Sequence, residues 1–425
     1  MNRRLLPGMF DIIPNDEKEL FRSVNYWQHI ENTIRILCKD YGYQEIRTPI
    51  LEKSSLFLRS SGEDSDIVSK ELYSFTDKGE REVAMRPEGT APVMRAYIDQ
   101  SQEWQKAHNK FFYIGPMFRY DRPQAGRFRQ HHQFGIEAIG QKGPEMDAEV
   151  IDLLYTLYQR LGLKDLTLEI NSLGIKETRE KYIEALVEYY TPKLNNLSAD
   201  SQKRLQSNPL RILDSKEIGD IQINENAPKI LDYLDEASKD HFESLKKWLD
   251  HLDIPYKVNG QLVRGLDYYN HTVFEILSSG IGAQNSIGGG GRYDGLIKQL
   301  GGSDLPAIGF GTGIERVLQT LIHQNSTPTL SKGVSLYFIP LGDKAMEKAI
   351  LITKLLREKG ISSEVDFSRK KVGKAMQLAH ARKAKYVACL GDDEIENNTI
   401  KLKEMETGKE ISLSFKEIIS FFSPK

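Results

Sequence analysis

Between Glu19 and Lys39 the apolar residues Leu20, Val24, Trp27, Ile30, Ile34 and Leu37 recur every three or four positions. That spacing predicts an amphipathic helix. Tyr41-Gly42-Tyr43 ends it, and Glu45-Ile46-Arg47-Thr48-Pro49 predicts a strand stopped by proline. Phe111–Ile114 predicts a short buried strand. After a polar loop, strict alternation over Gln133–Ile139 predicts another, with Gln133, Gly135 and Glu137 on one face and Phe134, Ile136 and Ala138 on the other. From about Leu173 to Tyr256 the pattern becomes helical and charged, as in Lys181–Tyr190 and His241–His251, which predicts a helical insertion. Strand signals return at Gln261–Glu275 and Ile308–Thr312.

The polar, turn-rich stretch from His323 to Gly333 predicts a domain boundary. Beyond it, Val334–Pro340, Ser362–Val365 and Tyr386–Leu390 predict strands, alternating with helices at Lys344–Lys359 and Lys370–Lys383. That order implies mostly parallel pairing. Ile400–Glu406 and Ile411–Ser414, joined at Thr407-Gly408, predict a terminal hairpin. The expected division is 1–325 for a first domain that includes the insertion at 173–256, 326–333 for a linker, and 334–425 for a small α/β domain.

Composition narrows the class. A chain of 425 residues has room for two to four domains at roughly 100–200 residues each. Hydrophobic residues at 39% and charged residues at 28% exclude a disordered or collagen-like chain. No apolar run approaches the ~18 residues of a membrane span, and the early Pro7 and Asp11 break up any signal-peptide core. Only two cysteines, Cys38 and Cys389, argue against a disulfide framework and for a reducing compartment, so a cytoplasmic location is expected. A net charge of −2 excludes a uniformly basic nucleic-acid binder but leaves room for local basic patches.

The familiar nucleotide and metal signatures are missing: no P-loop, no G-x-G-x-x-G, no H-E-x-x-H, no C-x-x-C. His131 and His132 are adjacent, so on a strand they face opposite ways and cannot jointly chelate. A protein-held metal is not expected. The segment Phe118–Gln130 carries four Arg and one Asp around a Pro-Gly turn. It is either a solvated loop or a clamp for phosphates, whose oxygens match guanidinium forks. The polar face of Gln133, Gly135 and Glu137 fits a pocket floor or an ordinary half-exposed strand. Glu88, in Arg86-Pro87-Glu88-Gly89-Thr90, suits a helix cap or a cationic amine. Arg264, in the apolar stretch Leu262–Asn270, demands an anion, either Asp267 or a phosphate. The Gly-rich Ser286–Asp294 would let a backbone approach a ligand or simply pack closely. Ile308–Leu318 reads as strand, glycine turn and helix, with Arg316 in the first turn. A cation there opposes the helix dipole, so anion binding is a sensible reason for it.

In order and combination these segments resemble the class II aminoacyl-tRNA synthetases, and among them the histidyl-tRNA synthetases. Tyr43–Pro49 is similar to the first class II motif, Phe118–Glu137 to the second with its loop, and Gly309–Arg316 to the third. Arg264-Gly265-Leu266-Asp267-Tyr268-Tyr269 and Gly290-Gly291-Arg292-Tyr293-Asp294-Gly295 resemble the two histidine-specific motifs, and these discriminate most. The opening Pro7–Pro14 and the insertion segment Asn208–Asp214 fit as well, so the resemblance spans essentially the whole chain. It implies an α+β fold: an antiparallel sheet flanked by helices, a helical insertion, and a C-terminal α/β anticodon-binding domain. Thr312 stands where a less polar residue is expected in many relatives.

The implied reaction joins L-histidine to its tRNA through a histidyl-adenylate, using ATP with Mg²⁺, in a homodimer. By resemblance Arg119 and Arg264 contact the α-phosphate, Arg316 the γ-phosphate, and Arg127 helps hold ATP. Glu88 and Gln133, with Thr90 nearby, hold the α-amino group. Glu137 and Tyr269 read the imidazole, and Tyr268 and Tyr293 complete the pocket. Gln124 and Arg129 meet the tRNA acceptor end. Lys371, Lys374 and Arg382 lie in Arg369–Lys385, which has seven Lys/Arg and no acid. They suit an RNA backbone or a merely solvated face. In that helix Val372, Met376 and Ala379 are expected inside. Rival readings are a regulatory paralogue that charges no tRNA, a synthetase for threonine, proline or glycine, and a non-catalytic RNA-binding protein on the same fold.

Overall fold

The alternating segment forms the strand Gln130–Ile139, near the middle of an eight-stranded sheet. In spatial order the strands are Gln44–Glu45, Lys110–Phe118, Gln130–Ile139, Ala307–Gly313, Ser286–Arg292, Asn270–Leu277, Thr167–Ser172 and Tyr256–Val258. The six inner strands pair antiparallel, and only the two short edge strands pair parallel. The computed structural model describes residues 5–14, 16, 18–61, 65, 67–121, 126–279, 285–330 and 333–422. They fall into two compact units, Met1–Pro328 and Thr329–Lys425.

Each face of the sheet has its own chemistry. The ring of Phe134 meets that of Phe310 at 5.3 Å. On the same side by alternation, Thr312 takes a hydrogen bond from Tyr158 of the helix Pro144–Leu161 at 2.9 Å. Thr312 in turn donates to the Ile287 carbonyl at 2.7 Å. Its hydroxyl thus ties a helix to two strands, which accounts for a polar residue there. On the other face, Gln133 pairs across the sheet with Gly313, Gly135 with Gly311, and Glu137 with Gly309. A side chain at Gly309 would run into the Glu137 carboxylate and the Ile136 carbonyl, so this face stays bare for larger groups to lie on it.

The first helix runs Val24–Asp40 and buries Trp27, Ile30, Ile34 and Leu37, as its spacing predicts. Residues 173–255 contain helices and no strand among those described. Their core residues Tyr182, Leu186, Tyr190 and Ile212 join the same cluster as Val93, Met94 and Tyr113 from around the sheet. The expected strand over Gln261–Glu275 is only half realised: Asn270–Leu277 is a strand, and the stretch before it is a loop. Side chains of the helical segment hold that loop. Arg211 donates to the Gly265 carbonyl at 2.6 Å, and Arg179 to the Asp267 carbonyl at 2.7 Å. With these carbonyls engaged, a strand partner is not needed.

The second unit has a five-stranded sheet ordered Ser363–Val365, Leu336–Pro340, Tyr386–Leu390, Thr399–Glu404, Glu410–Ser414. The first three are parallel and the last two form the antiparallel hairpin. Leu336 and Phe338 face the helix Asp343–Glu358, while Tyr337 and Ile339 face the helix Val372–Ala381. On the latter helix Ala375 and Ala379 are the buried residues, and Val372 is exposed, against expectation. Val372 opens the helix, where the chain is still arriving from a loop. Two short helices, Asp392–Glu396 and Glu417–Phe422, lack enough turns to show periodicity in the sequence. No helix among the described residues is long and apolar enough to cross a membrane.

Candidate active site

A cavity of about 660 Å³ opens over the bare face of the large sheet, a size that accommodates substrate-scale ligands. One part is cationic. Arg119, Arg127, Arg264 and Arg316 all line it. Arg316 is in the first turn of the helix Ile314–His323 and donates to the carbonyls of Gly126 at 3.1 Å and Ser286 at 3.0 Å. Arg119 donates to the Pro87 carbonyl at 2.8 Å, and Arg127 to Asp121 at 3.0 Å. Burial, then the charges of Arg127 and Arg119, pull the Arg316 guanidinium below its usual pKa. These arginines are close enough to repel, which is a cost unless an anion arrives.

Arg264 sits on the loop before Asn270–Leu277. Its Nη1 pairs with Glu275 at 2.9 Å, and not with Asp267, which is taken by Arg179 and Asn208. Burial pulls the Arg264 pKa down, but the Glu275 charge and hydrogen bond outweigh it, so the guanidinium stays firmly charged. Its Nε is buried without a hydrogen-bond partner among the described residues.

The other part of the cavity is polar and aromatic. Glu88, Thr90, Gln133, Tyr268 and Tyr269 line it. Glu88 caps the helix Thr90–Ile98, accepting from the backbone N–H groups of Thr90 and, at 3.0 Å, Ala91. Burial raises its pKa, and those two bonds oppose the rise. The capping reading of Glu88 is realised, and its carboxylate still borders the cavity. The Gln133 Oε1 is buried with no donor among the described residues.

Glu137 and Tyr293 lie just beneath, each about 1% exposed. The Tyr293 hydroxyl donates to one Glu137 oxygen, and the Thr90 hydroxyl donates to the other at 2.7 Å. Burial pushes the Glu137 pKa up to about 8, with the Tyr293 and Thr90 bonds opposing. The Tyr268 ring packs at 4.7 Å from Tyr269 and 5.5 Å from Tyr293, forming an aromatic wall. Arg129 is outside the cavity lining. Its guanidinium lies 3.9 Å over the exposed Tyr120 ring. Gln124 falls outside the described residues. Lys371, Lys374 and Arg382 belong to the second unit and are exposed, with Arg382 3.8 Å from Glu364.

Several residues here are silent in the sequence. Glu275 holds Arg264 and takes a bond from Ser286, yet reads as one polar position in an alternating strand. Glu315 accepts from the His132 backbone at 2.8 Å and its ring at 3.0 Å, joining the helix Ile314–His323 to the central strand. His131 lines the cavity, and burial, then Arg119, holds its pKa well below the usual value, so it is neutral. Arg292, fully buried, pairs with Asp147 at 2.7 Å and donates to the Gln141 and Gly143 carbonyls, anchoring the strand end that carries Tyr293. Asp147 looks from sequence like a first-turn acid that merely complements a helix dipole.

A family model described as Histidyl-tRNA synthetase matches residues 20–317, and one described as Anticodon binding domain matches residues 335–425. A histidine--tRNA ligase of Protochlamydia amoebophila is 56% identical over 412 residues, 97% of each chain. One from Bacillus subtilis is 45% identical, covering 97% of this chain and 96% of its own. The structure of apo S. aureus histidyl-tRNA synthetase matches with a TM-score of 0.79 at 38% identity, covering 99% of both chains. The chain belongs to the histidyl-tRNA synthetase family.

Proposed function

We propose that the chain attaches L-histidine to its tRNA in an ATP-dependent reaction with a histidyl-adenylate intermediate. One observation carries this reading beyond family membership. A cluster of arginines lines one part of a cavity, and the Thr90 hydroxyl at its other part donates to a buried carboxylate, Glu137, that Tyr293 also grips, which suits a polyphosphate beside an imidazole.

In the first step a histidine carboxylate oxygen attacks the α-phosphorus of ATP, and the bond to pyrophosphate breaks. Negative charge builds on the phosphoryl oxygens, so fixed cations are the requirement. Arg119 and Arg264 are assigned to the α-phosphate, Arg316 to the γ-phosphate, and Arg127 to holding ATP. The unpartnered Nε of Arg264 supports its part, because it is a donor left for substrate. In the second step a hydroxyl of the tRNA terminal ribose attacks the histidyl carbonyl and AMP leaves. Gln124 and Arg129 are assigned to the acceptor end. Mg²⁺ enters with ATP as part of the substrate.

For the amino acid, Gln133 and Glu88 are assigned to the α-ammonium, with Thr90 beside them. The unsatisfied Gln133 Oε1 is an acceptor waiting for an N–H. Glu137 and Tyr269 are assigned to the imidazole, with Tyr268 and Tyr293 closing the pocket. A third donor, the imidazole N–H, joins Thr90 and Tyr293 at Glu137 and favours its ionised form. Amino acids lacking a matched donor and acceptor leave buried groups unpaired, which gives roughly 10⁴–10⁵ discrimination.

Residues 1–325 are assigned to catalysis, with 173–256 as the helical insertion and 326–333 as the linker. Residues 334–425 are assigned to anticodon binding, with Lys371, Lys374 and Arg382 on the RNA backbone. A cytoplasmic homodimer, paired through the first-motif segment Tyr43–Pro49, completes the reading. Charging of purified histidine tRNA with labelled histidine tests it. ATP-dependent, acid-precipitable label is expected, and its absence in folded protein would refute it.

A further inference from the structure

The loop at residues 263–269 carries Arg264, Tyr268 and Tyr269 to the cavity, yet it belongs to no strand or helix. The sheet pins its two ends. Asn171 of the strand Thr167–Ser172 donates to the Leu262 carbonyl at 3.0 Å. Asn270, which opens the strand Asn270–Leu277, donates to the Asp294 carbonyl at 2.6 Å. Between these ends the helical segment grips the backbone. Arg211 donates to the Gly265 carbonyl at 2.6 Å and Arg179 to the Asp267 carbonyl at 2.7 Å, while Asn208 donates to the Asp267 carboxylate at 3.1 Å.

Each grip falls one residue from a side chain that lines the cavity. Gly265 follows Arg264, and Asp267 precedes Tyr268. Successive Cα atoms are held about 3.8 Å apart, so a carbonyl that drifts carries its neighbour with it. The gripping residues are themselves well founded. Pro209, Leu210 and Ile212, around Arg211, are buried, and Asn224 donates to the Ile212 carbonyl at 2.8 Å. Arg179 stands on the helix Lys176–Tyr190 between the buried Thr178 and Tyr182. On the cavity side, Arg264 is held by Glu275 at 2.9 Å, and its Nε has no hydrogen-bond partner among the described residues. Arg211 therefore balances the Glu275 pair from the opposite side of the loop.

We propose that Arg211 and Arg179 are positioning residues for adenylation. Arg211 sets Arg264 against the α-phosphate, and Arg179, with Asn208, sets Tyr268 and Tyr269 around the imidazole. The helical segment is then a working wall of the site, and its Leu213 and Asp214 line the same cavity. The proposal rests on the adenylation reading and adds the residues that hold its mobile parts in register.

The test uses the full-length chain and histidine-dependent ATP–pyrophosphate exchange. Active-site titration sets the enzyme concentration, so that lost folding cannot imitate slow turnover. Arg211→Met is expected to lower kcat by about 10- to 100-fold, the upper figure being the cost of a misplacement of about 1 Å. Arg211→Lys, which keeps a charged donor, should recover part of that loss. Arg179→Met should instead raise the histidine KM about 10-fold, as for one lost charge-assisted bond, and leave the ATP KM alone. In an Arg264→Ala background, Arg211→Met should change kcat by less than about twofold, because both changes then act on one group. A kcat unchanged in Arg211→Met beside an active wild type would overturn the positioning role alone. So would losses that multiply in the double variant, or an equal rise of both KM values in Arg179→Met, since a merely structural role gives those results. A folded wild type with no histidine-dependent exchange would overturn the functional reading and the positioning with it.

Discussion

Gly311→Ala offers a narrow test of the amino-acid side of the site. A β-carbon at Gly311 would overlap the Gln133 amide nitrogen and lie 3.2 Å from its Cδ, with Cγ next at 3.7 Å. No backbone atom is among its nearest neighbours, and the position has no positive φ. The substitution therefore moves one flexible amide and little else. If Gln133 Oε1 accepts from the α-ammonium, that charge-assisted bond, worth about 1.5–3 kcal/mol, is lost. At about 1.4 kcal/mol per tenfold, the histidine KM in pyrophosphate exchange should rise by roughly 10- to 150-fold. The ATP KM should be unchanged. Thermal stability should hold or improve slightly, since Gly→Ala restricts the unfolded chain. Gln133→Ala should give a similar rise, and the double variant should be no worse than Gln133→Ala, as for two changes acting on one bond. A histidine KM unaffected by Gly311→Ala, or equal losses for histidine and ATP, would refute the assignment of Gln133.

Three further outcomes follow from the geometry. Arg264→Ala should lower adenylation kcat by about 10²–10³, the loss typical of one donor to a developing oxyanion, with a much smaller change in histidine KM; unchanged turnover would remove Arg264 from the chemistry. Glu137 has a folded pKa of about 8 against an ordinary 4.5, so between those values the folded chain keeps a proton that the unfolded chain has lost. Its contribution to stability therefore falls as pH rises through that window. Wild-type Tm should accordingly decline more steeply towards pH 8 than that of Glu137→Gln, and parallel Tm curves would contradict a neutral buried Glu137. Removing Ser331–Lys425 should preserve much of the histidine-dependent pyrophosphate exchange while impairing charging, and equal loss of both would argue against a separable anticodon-binding part.

Periodicity made the main elements legible where one face alone is buried. The first helix shows its apolar stripe, and the C-terminal strands and helices alternate in order. Leu262–Tyr269 misled because apolar and aromatic residues favour strands locally, whereas the loop is fixed by Arg179, Asn208 and Arg211 from far along the chain. The same long-range chemistry hid the partner of Arg264. Asp267 is close in sequence, but Glu275 is the carboxylate that the fold brings to 2.9 Å. Val372 misled for a reason of length: one short helix allows two nearby placements of its buried face, and packing chose Ala375. The candidate site residues were legible mainly through resemblance. Their residue types narrowed the chemistry to anions and amines, but no local pattern states that Glu137 rests under Thr90 and Tyr293.

Amino-acid-dependent ATP–pyrophosphate exchange, run across all twenty amino acids, tests the central claim most directly. Exchange with histidine alone is the predicted result, because only an imidazole satisfies the buried carboxylate while the arginines hold ATP. Exchange with a different amino acid, or none from folded protein supplied with Mg²⁺, would contradict the account.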